Sequence, residues 1–265
     1  MMGKKPTNNP FSIYIRHDPN NPLDHGYLYL TEHHDDPVIP HPAYYLKEVI
    51  ERAYSVFMEF HPSFHSPSAL IALMVGATLE SVDAIVLNAG DDGLGEQLLS
   101  LMDHWQRSLG DLNSRTAAFK RPDFFIKLDH SLFSLPETDL EKLRVSGADG
   151  IIIPESYNPV KLMNVFSLAR EFGLRVLATA NIYTKPRQIK FALKVNPAIE
   201  LPDSIMERFE DGASMQAGID FLFEFISFIR TFDVEGLIIQ NARIEYLEPI
   251  MNQAVFLKID EKYGR

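Results

Sequence analysis

Apolar runs recur along the chain, each closed by polar residues and followed by a stretch with helical spacing. The clearest cycles lie in the second half. Gly150–Ile153 is a continuous apolar run, and Asn158 with Pro159 then opens a helix that closes at Phe172 and Gly173. Val176–Ala180 is the next run, followed by Thr184, Lys185, Pro186 and another helix; Gly236–Gln240 is the last. Buried parallel strands read as unbroken apolar runs and need helical crossovers between them. Counting back adds Phe124–Leu128, Ala84–Leu87, Val56–Phe60 and two weaker strands, Tyr27–Leu30 and Ser12–Ile15.

Helices fill most of the gaps. Ser66, Pro67 and Ser68 supply a start with proline in the first turn, and Leu70, Ile71, Leu73, Met74 and Val75 continue it. Gly93 to Leu109 and Leu140 to Val145 come next, then a short extra helix from Leu201 and a long one over Ala213–Thr231. The long helix has two apolar stripes. One is Met215, Ile219, Leu222, Ile226 and Ile229; the other is Phe221, Phe225, Phe228 and Phe232. One stripe suffices to pack on a barrel. The second reads as further core or as a subunit interface of a homo-oligomer.

Eight strands with helices between them predict an α/β fold, a single (β/α)8 TIM barrel over residues 1–265 with a disordered tail at 1–11. The stretch Arg16–Gly26, rich in Pro, Asn and Asp, has no room for a helix, so the first βα unit is expected to be distorted.

Bulk properties narrow the function. Lys and Arg number 25 against 36 Asp and Glu, a net charge of −11. Nucleic acid and anionic membrane are held by clustered cations, so neither is an expected partner. With no cysteine, disulfides, thiolate nucleophiles and cysteine-ligated metals are excluded. The N-terminus lacks an apolar signal region, and the most apolar window, at 221–229, is too short to span a bilayer. A soluble, cytoplasmic protein is the expectation.

Barrel chemistry sits at the C-terminal strand ends, and these are ionisable here: Arg16, His17 and Asp18; Glu32 to Asp36; Glu59 and His61; Asn88, Asp91 and Asp92; Lys127, Asp129 and His130; Glu155; Asn181 and Tyr183; Gln240 and Asn241. A carboxylate desolvated in the mouth, such as Asp91 or Glu59, has the raised pKa of a general acid. Seven of the 9 histidines lie in the first quarter, which raises a metal-dependent hydrolase or lyase built on His33, His34, His61 and His130. No strand-one His-x-His supports that, and no metal ligand is assigned. The pair Gly93 and Gly95 could open an anion-binding helix.

Residues 80–245 resemble the methylenetetrahydrofolate reductase family. The resemblance rests on Ile85 to Asp91, with its Gly90-Asp91 ending; on Gly147 to Ile153; on Arg175 to Tyr183; and on the helix at Ile199 to Glu210. It implies an oxidoreductase of one-carbon metabolism, a flavoprotein that passes hydride from a nicotinamide through FAD to a folate-like small molecule. It further implies catalytic acids at Asp91 or Glu59, flavin contacts at Asn88, Ala89, Gly90, Asp91, His130 and Asn181, and substrate contacts at Glu155, Tyr183 and Gln240. Strand one lacks the family glutamate, Ala89 replaces its flavin-contacting arginine and Pro154 its strand-six glutamine. A third reading is a degenerate barrel kept as a binding or assembly partner.

Overall fold

In the computed structural model, residues 12–16, 27–31, 55–89, 95–115, 120–129, 136–210, 215–241 and 246 are described. Eight strands, β1 (Ser12–Arg16), β2 (Tyr27–Thr31), β3 (Ser55–Phe60), β4 (Ala84–Asn88), β5 (Asp123–Lys127), β6 (Gly150–Ile152), β7 (Arg175–Ala180) and β8 (Gly236–Ile239), follow one another around a closed barrel. All pairings are parallel, and β1 closes on β8 with Ser12 opposite Gly236 and Tyr14 opposite Ile238. The (β/α)8 expectation holds. Its distorted first unit, at 17–26, and its tail, at 1–11, lie outside the described residues.

Seven α-helices are described between the strands: α1 (Pro67–Leu79), α2 (Glu96–Arg115), α3 (Glu137–Val145), α4 (Pro159–Glu171), α5 (Pro186–Val195), α6 (Asp203–Glu210) and α7 (Met215–Ile229). Two starts follow directly from local chemistry. Ser66 caps α1 by accepting from the Ala69 N–H, and Asn158 caps α4 by accepting from Val160 and Lys161 at 3.0 and 3.1 Å. Each cap satisfies main-chain donors that no helical carbonyl reaches.

Strand alternation sorts the core into two layers. Val56, Met58, Phe60, Ile85, Leu87, Ile126 and Ile151 face the helices, whereas Tyr14, Tyr29, Phe57, Val86, Phe125, Leu177 and Ile238 fill the barrel interior. At Gly150 a Cβ would overlap the Phe125 ring, so only glycine lets that ring occupy the lumen. Toward the N-terminal end, Arg175 pairs with Asp123 at 2.9 Å and Glu235 at 3.3 Å while its guanidinium lies 4.9 Å from the Phe125 ring centre.

The second stripe of α7 is core. Phe221 and Phe225 pack on Tyr157 at 5.0 and 4.9 Å, and Phe232 packs on Phe166 at 5.3 Å. None of the helices among the described residues is long and apolar enough to cross a membrane.

Candidate functional site

Two carboxylates at the C-terminal face lie in opposite environments. Glu59 points inward one step above Phe57; Asn88 and Lys127 stand the same step above Val86 and Phe125. The side-chain period of two therefore converges three polar groups on the lumen from β3, β4 and β5. Lys127 Nζ donates to Glu59 Oε1 at 2.8 Å and Oε2 at 3.0 Å, and Asn88 Nδ2 donates to Oε1 at 2.7 Å. Glu59 is only 5% exposed. Burial pushes its carboxyl up, but the Lys127 charge, the bonds from Lys127 and Asn88 and the nearby Tyr29 hydroxyl outweigh burial and hold it below the usual range. Glu59 is the ionised carboxylate of the mouth.

Glu155, just beyond β6, is the other. Its Oε1 accepts from the Tyr157 hydroxyl at 2.7 Å, the Tyr183 hydroxyl at 2.9 Å and the Asn181 N–H at 3.2 Å; Oε2 accepts from Asn181 Nδ2 at 2.6 Å. Among the described residues no lysine or arginine hydrogen-bonds to it. Burial pushes its carboxyl above the usual range, and the four neutral donors only partly oppose that. The same charge pushes both tyrosine hydroxyls up after burial has done so. The knot ties the end of β6 to that of β7, and Asn241 clips β8 on, accepting from the Ile182 N–H at 2.7 Å and donating to its carbonyl at 2.8 Å.

The expected site residues thus fall into two groups. Glu59 and Asn88 join one cluster, and Glu155, Asn181 and Tyr183 the other. Ala89 is buried at the end of β4, its N–H donating to the Lys127 carbonyl at 2.9 Å. Gln240 is half-buried after β8, its N–H donating to the Ala180 carbonyl at 3.0 Å. Gly90, Asp91 and His130 lie outside the described residues, as do His33 and His34. Sequence reading placed Lys127 on this face without a role, and it missed Tyr29 and Tyr157. Their signal was present: Tyr29 has the inward parity of β2, and Tyr157 stands two residues after Glu155.

A third feature is a cavity of about 640 Å³ between α1 and α2 at the rim. His61, His65 and His104 line it, and Asn88 forms part of its wall. The Ser63 hydroxyl lies 2.6 Å from His61 Nδ1, and the imidazole stacks on Phe64 at 4.4 Å.

A divalent ion does not fit the described donors. Both oxygens of Glu59 are taken by an ammonium, those of Glu155 by hydroxyl and amide donors, and no three ligating side chains converge among the described residues.

No family model matches the chain, and no curated protein does. Solved structures match at the level of fold. A 2,3-dimethylmalate lyase, described as a PEP mutase/isocitrate lyase superfamily member, superposes in its triclinic form with a TM-score of 0.55 at 10% identity, over 96% of this chain and 87% of its own. Its trigonal form gives 0.56 at 10% identity over 95% and 80%. An oxaloacetate acetylhydrolase gives 0.54 at 9% identity over 96% and 83%. These neighbours correct the resemblance to methylenetetrahydrofolate reductases, and with it the oxidoreductase, flavoprotein, FAD, folate and one-carbon expectations. The site gives the physical reason. Glu59, ionised against Lys127, holds no proton for a folate nitrogen, and buried Ala89 and Pro154 offer no side-chain hydrogen bond to a flavin. The likeness to lyase and hydrolase barrels is one of fold.

Proposed function

We propose that this barrel is a lyase- or mutase-type enzyme acting on a small organic acid, breaking or moving a carbon bond beside a carboxylate or ketone. The observation that carries the reading is Lys127, an ammonium fixed in the barrel mouth by Glu59. An ammonium has three donors; Glu59 takes two of them, which leaves one for a substrate oxygen. Breaking a carbon–carbon bond next to a carbonyl leaves the electron pair on carbon, delocalised as an enolate onto oxygen. A preorganised cation in a water-poor mouth is the device that stabilises such charge. Glu59, itself ionised, holds the lysine in place.

The second carboxylate supplies the other requirement. A retro-aldol cleavage removes a proton from a hydroxyl and returns one to the enolate carbon, so the site needs a group that exchanges protons. Carboxyls whose environments push their pKa values apart divide such roles. In this reading Glu155, pushed upward and so the better proton acceptor of the two carboxylates, takes the hydroxyl proton and returns it to the enolate carbon, and Asn181 and Tyr183 orient it. The names of the fold neighbours agree better with a barrel lyase than with a reductase.

The test is to incubate purified protein with a panel of hydroxy and oxo acids, from short diacids of the malate type to acids bearing a larger uncharged substituent, with and without magnesium or manganese, and follow products by proton NMR. Cleavage or rearrangement by the wild type, with at least a ~100-fold loss in Lys127→Met, is the expected result for removing one transition-state charge partner. Turnover unchanged in Lys127→Met, or no turnover of any such acid in either condition, overturns the reading.

A further inference from the structure

The rim cavity is too large for a four-carbon acid. At about 640 Å³ it lies in the range that holds a drug-sized ligand. One side chain stands between it and the lumen: Asn88 lines the cavity and donates to Glu59 Oε1, the same oxygen that Lys127 holds. A ligand whose acid end reached Lys127 could extend past Asn88 into this space.

The lining describes what that extension would be. Its charged side chain is Glu96; no lysine or arginine takes part among the described residues. Anionic groups are ordinarily met by arginine or lysine, so a second carboxylate or a phosphate has no counter-ion here. The imidazoles of His61, His65 and His104, with Ser100 on α2, are the uncharged polar groups of the lining, while Pro67, Leu70 and Leu101 supply apolar wall. Polar groups set in an apolar wall fix the orientation of an uncharged, partly apolar ligand.

We infer that this cavity is a substituent subsite, so that the substrate is an organic acid carrying an uncharged amide- or hydroxyl-bearing group larger than a short diacid. The inference rests on the functional reading above, and its test is separable from that reading. Benzamide and benzoate match in size and shape and differ in charge. Each is titrated into the isotopically labelled protein at pH 8, where free imidazole is neutral, and the imidazole and Asn88 amide signals are followed. Ser100→Trp, on an exposed position of α2, fills the cavity, and Lys127→Met removes the lumen cation.

Benzamide is expected to shift the His61, His65, His104 and Asn88 signals, to bind at least ~10-fold more tightly than benzoate, to lose at least ~10-fold in Ser100→Trp, and to be unaffected by Lys127→Met. These are differences on the order of one kcal/mol, the scale of one desolvated contact. Benzoate shifting the His61, His65 and His104 signals with the same affinity as benzamide in the Lys127→Met protein, or benzamide ignoring Ser100→Trp, overturns the subsite. Absence of turnover across the whole acid panel, substituted acids included, instead overturns the functional reading and leaves the cavity result standing.

Discussion

Lys127 and Glu59 stand 68 residues apart in the chain, yet Lys127 Nζ lies 2.8 and 3.0 Å from the two oxygens of the Glu59 carboxylate. β4 lies between their strands, and it contributes the third member, Asn88. The Glu59 side chain is 7% exposed and that of Lys127 19%, so neither charge is well solvated alone. Breaking a buried pair from one side leaves an uncompensated charge, at about 3–5 kcal/mol.

Lys127→Met is therefore expected to lower stability by about 3 kcal/mol, less where Glu59 takes up a proton instead. Glu59→Gln with Lys127→Met should recover part of that loss, because the double variant strands no charge. Urea unfolding of the four proteins in the cycle measures the coupling. Strictly additive losses would show that the pair carries no coupling.

The two carboxylates give opposite pH signatures. Glu59 has its folded pKa below the ordinary 4.5, so its contribution is present above 4.5 and is lost as pH falls through the folded value. Glu155 has its folded pKa above 4.5, so its contribution is full below 4.5 and is lost as pH rises through the folded value. In Tm scans, the advantage of wild type over Glu59→Gln should shrink on acidification. Its advantage over Glu155→Gln should shrink on going from acid toward neutrality. A Glu155→Gln difference that is flat in pH would mean that burial does not raise this carboxyl.

Tyr157→Phe deletes one donor to Glu155 and leaves the ring against Phe221 and Phe225. Losing a buried donor to a carboxyl costs about 1–3 kcal/mol. It should also push the Glu155 titration further up, since the Tyr157 bond opposes burial. Carbon-13 titration of the glutamate carboxyls reads the direction, and a downward movement would contradict the geometry.

At Gly218 on α7, an added Cβ would run into the main-chain carbonyl of Tyr183. Helix propensity alone favours Ala over Gly by about 1 kcal/mol. Backbone cannot give way as a flexible side chain can, so overlap should win. Gly218→Ala is expected to be destabilised by about 1–3 kcal/mol, with the Asn181 and Tyr183 signals shifted as α7 lifts. A stabilised variant would show that propensity decides the sign.

Local pattern determined the barrel. The runs ending at Leu87, Leu128, Ile153, Ala180 and Gln240 declared themselves because strands buried on both faces must be apolar throughout, and Ser66 and Asn158 marked helix starts by their own capping chemistry. The parity of each strand also put Glu59, Asn88, Lys127 and Asn181 on one face. Register decided which of them meet. Glu59 as a desolvated acid and Glu59 as an ionised partner of Lys127 have the same sequence, and only the position of Lys127 two strands away settles the sign of its pKa. Likewise, a phenylalanine stripe on α7 fits core and subunit interface equally until Tyr157 is found beneath it. The family likeness came from strand and helix wording that many barrels share, because the framework constrains residue type through packing. The chemistry depends on side chains that converge from distant strands, and no local stretch of sequence carries that convergence.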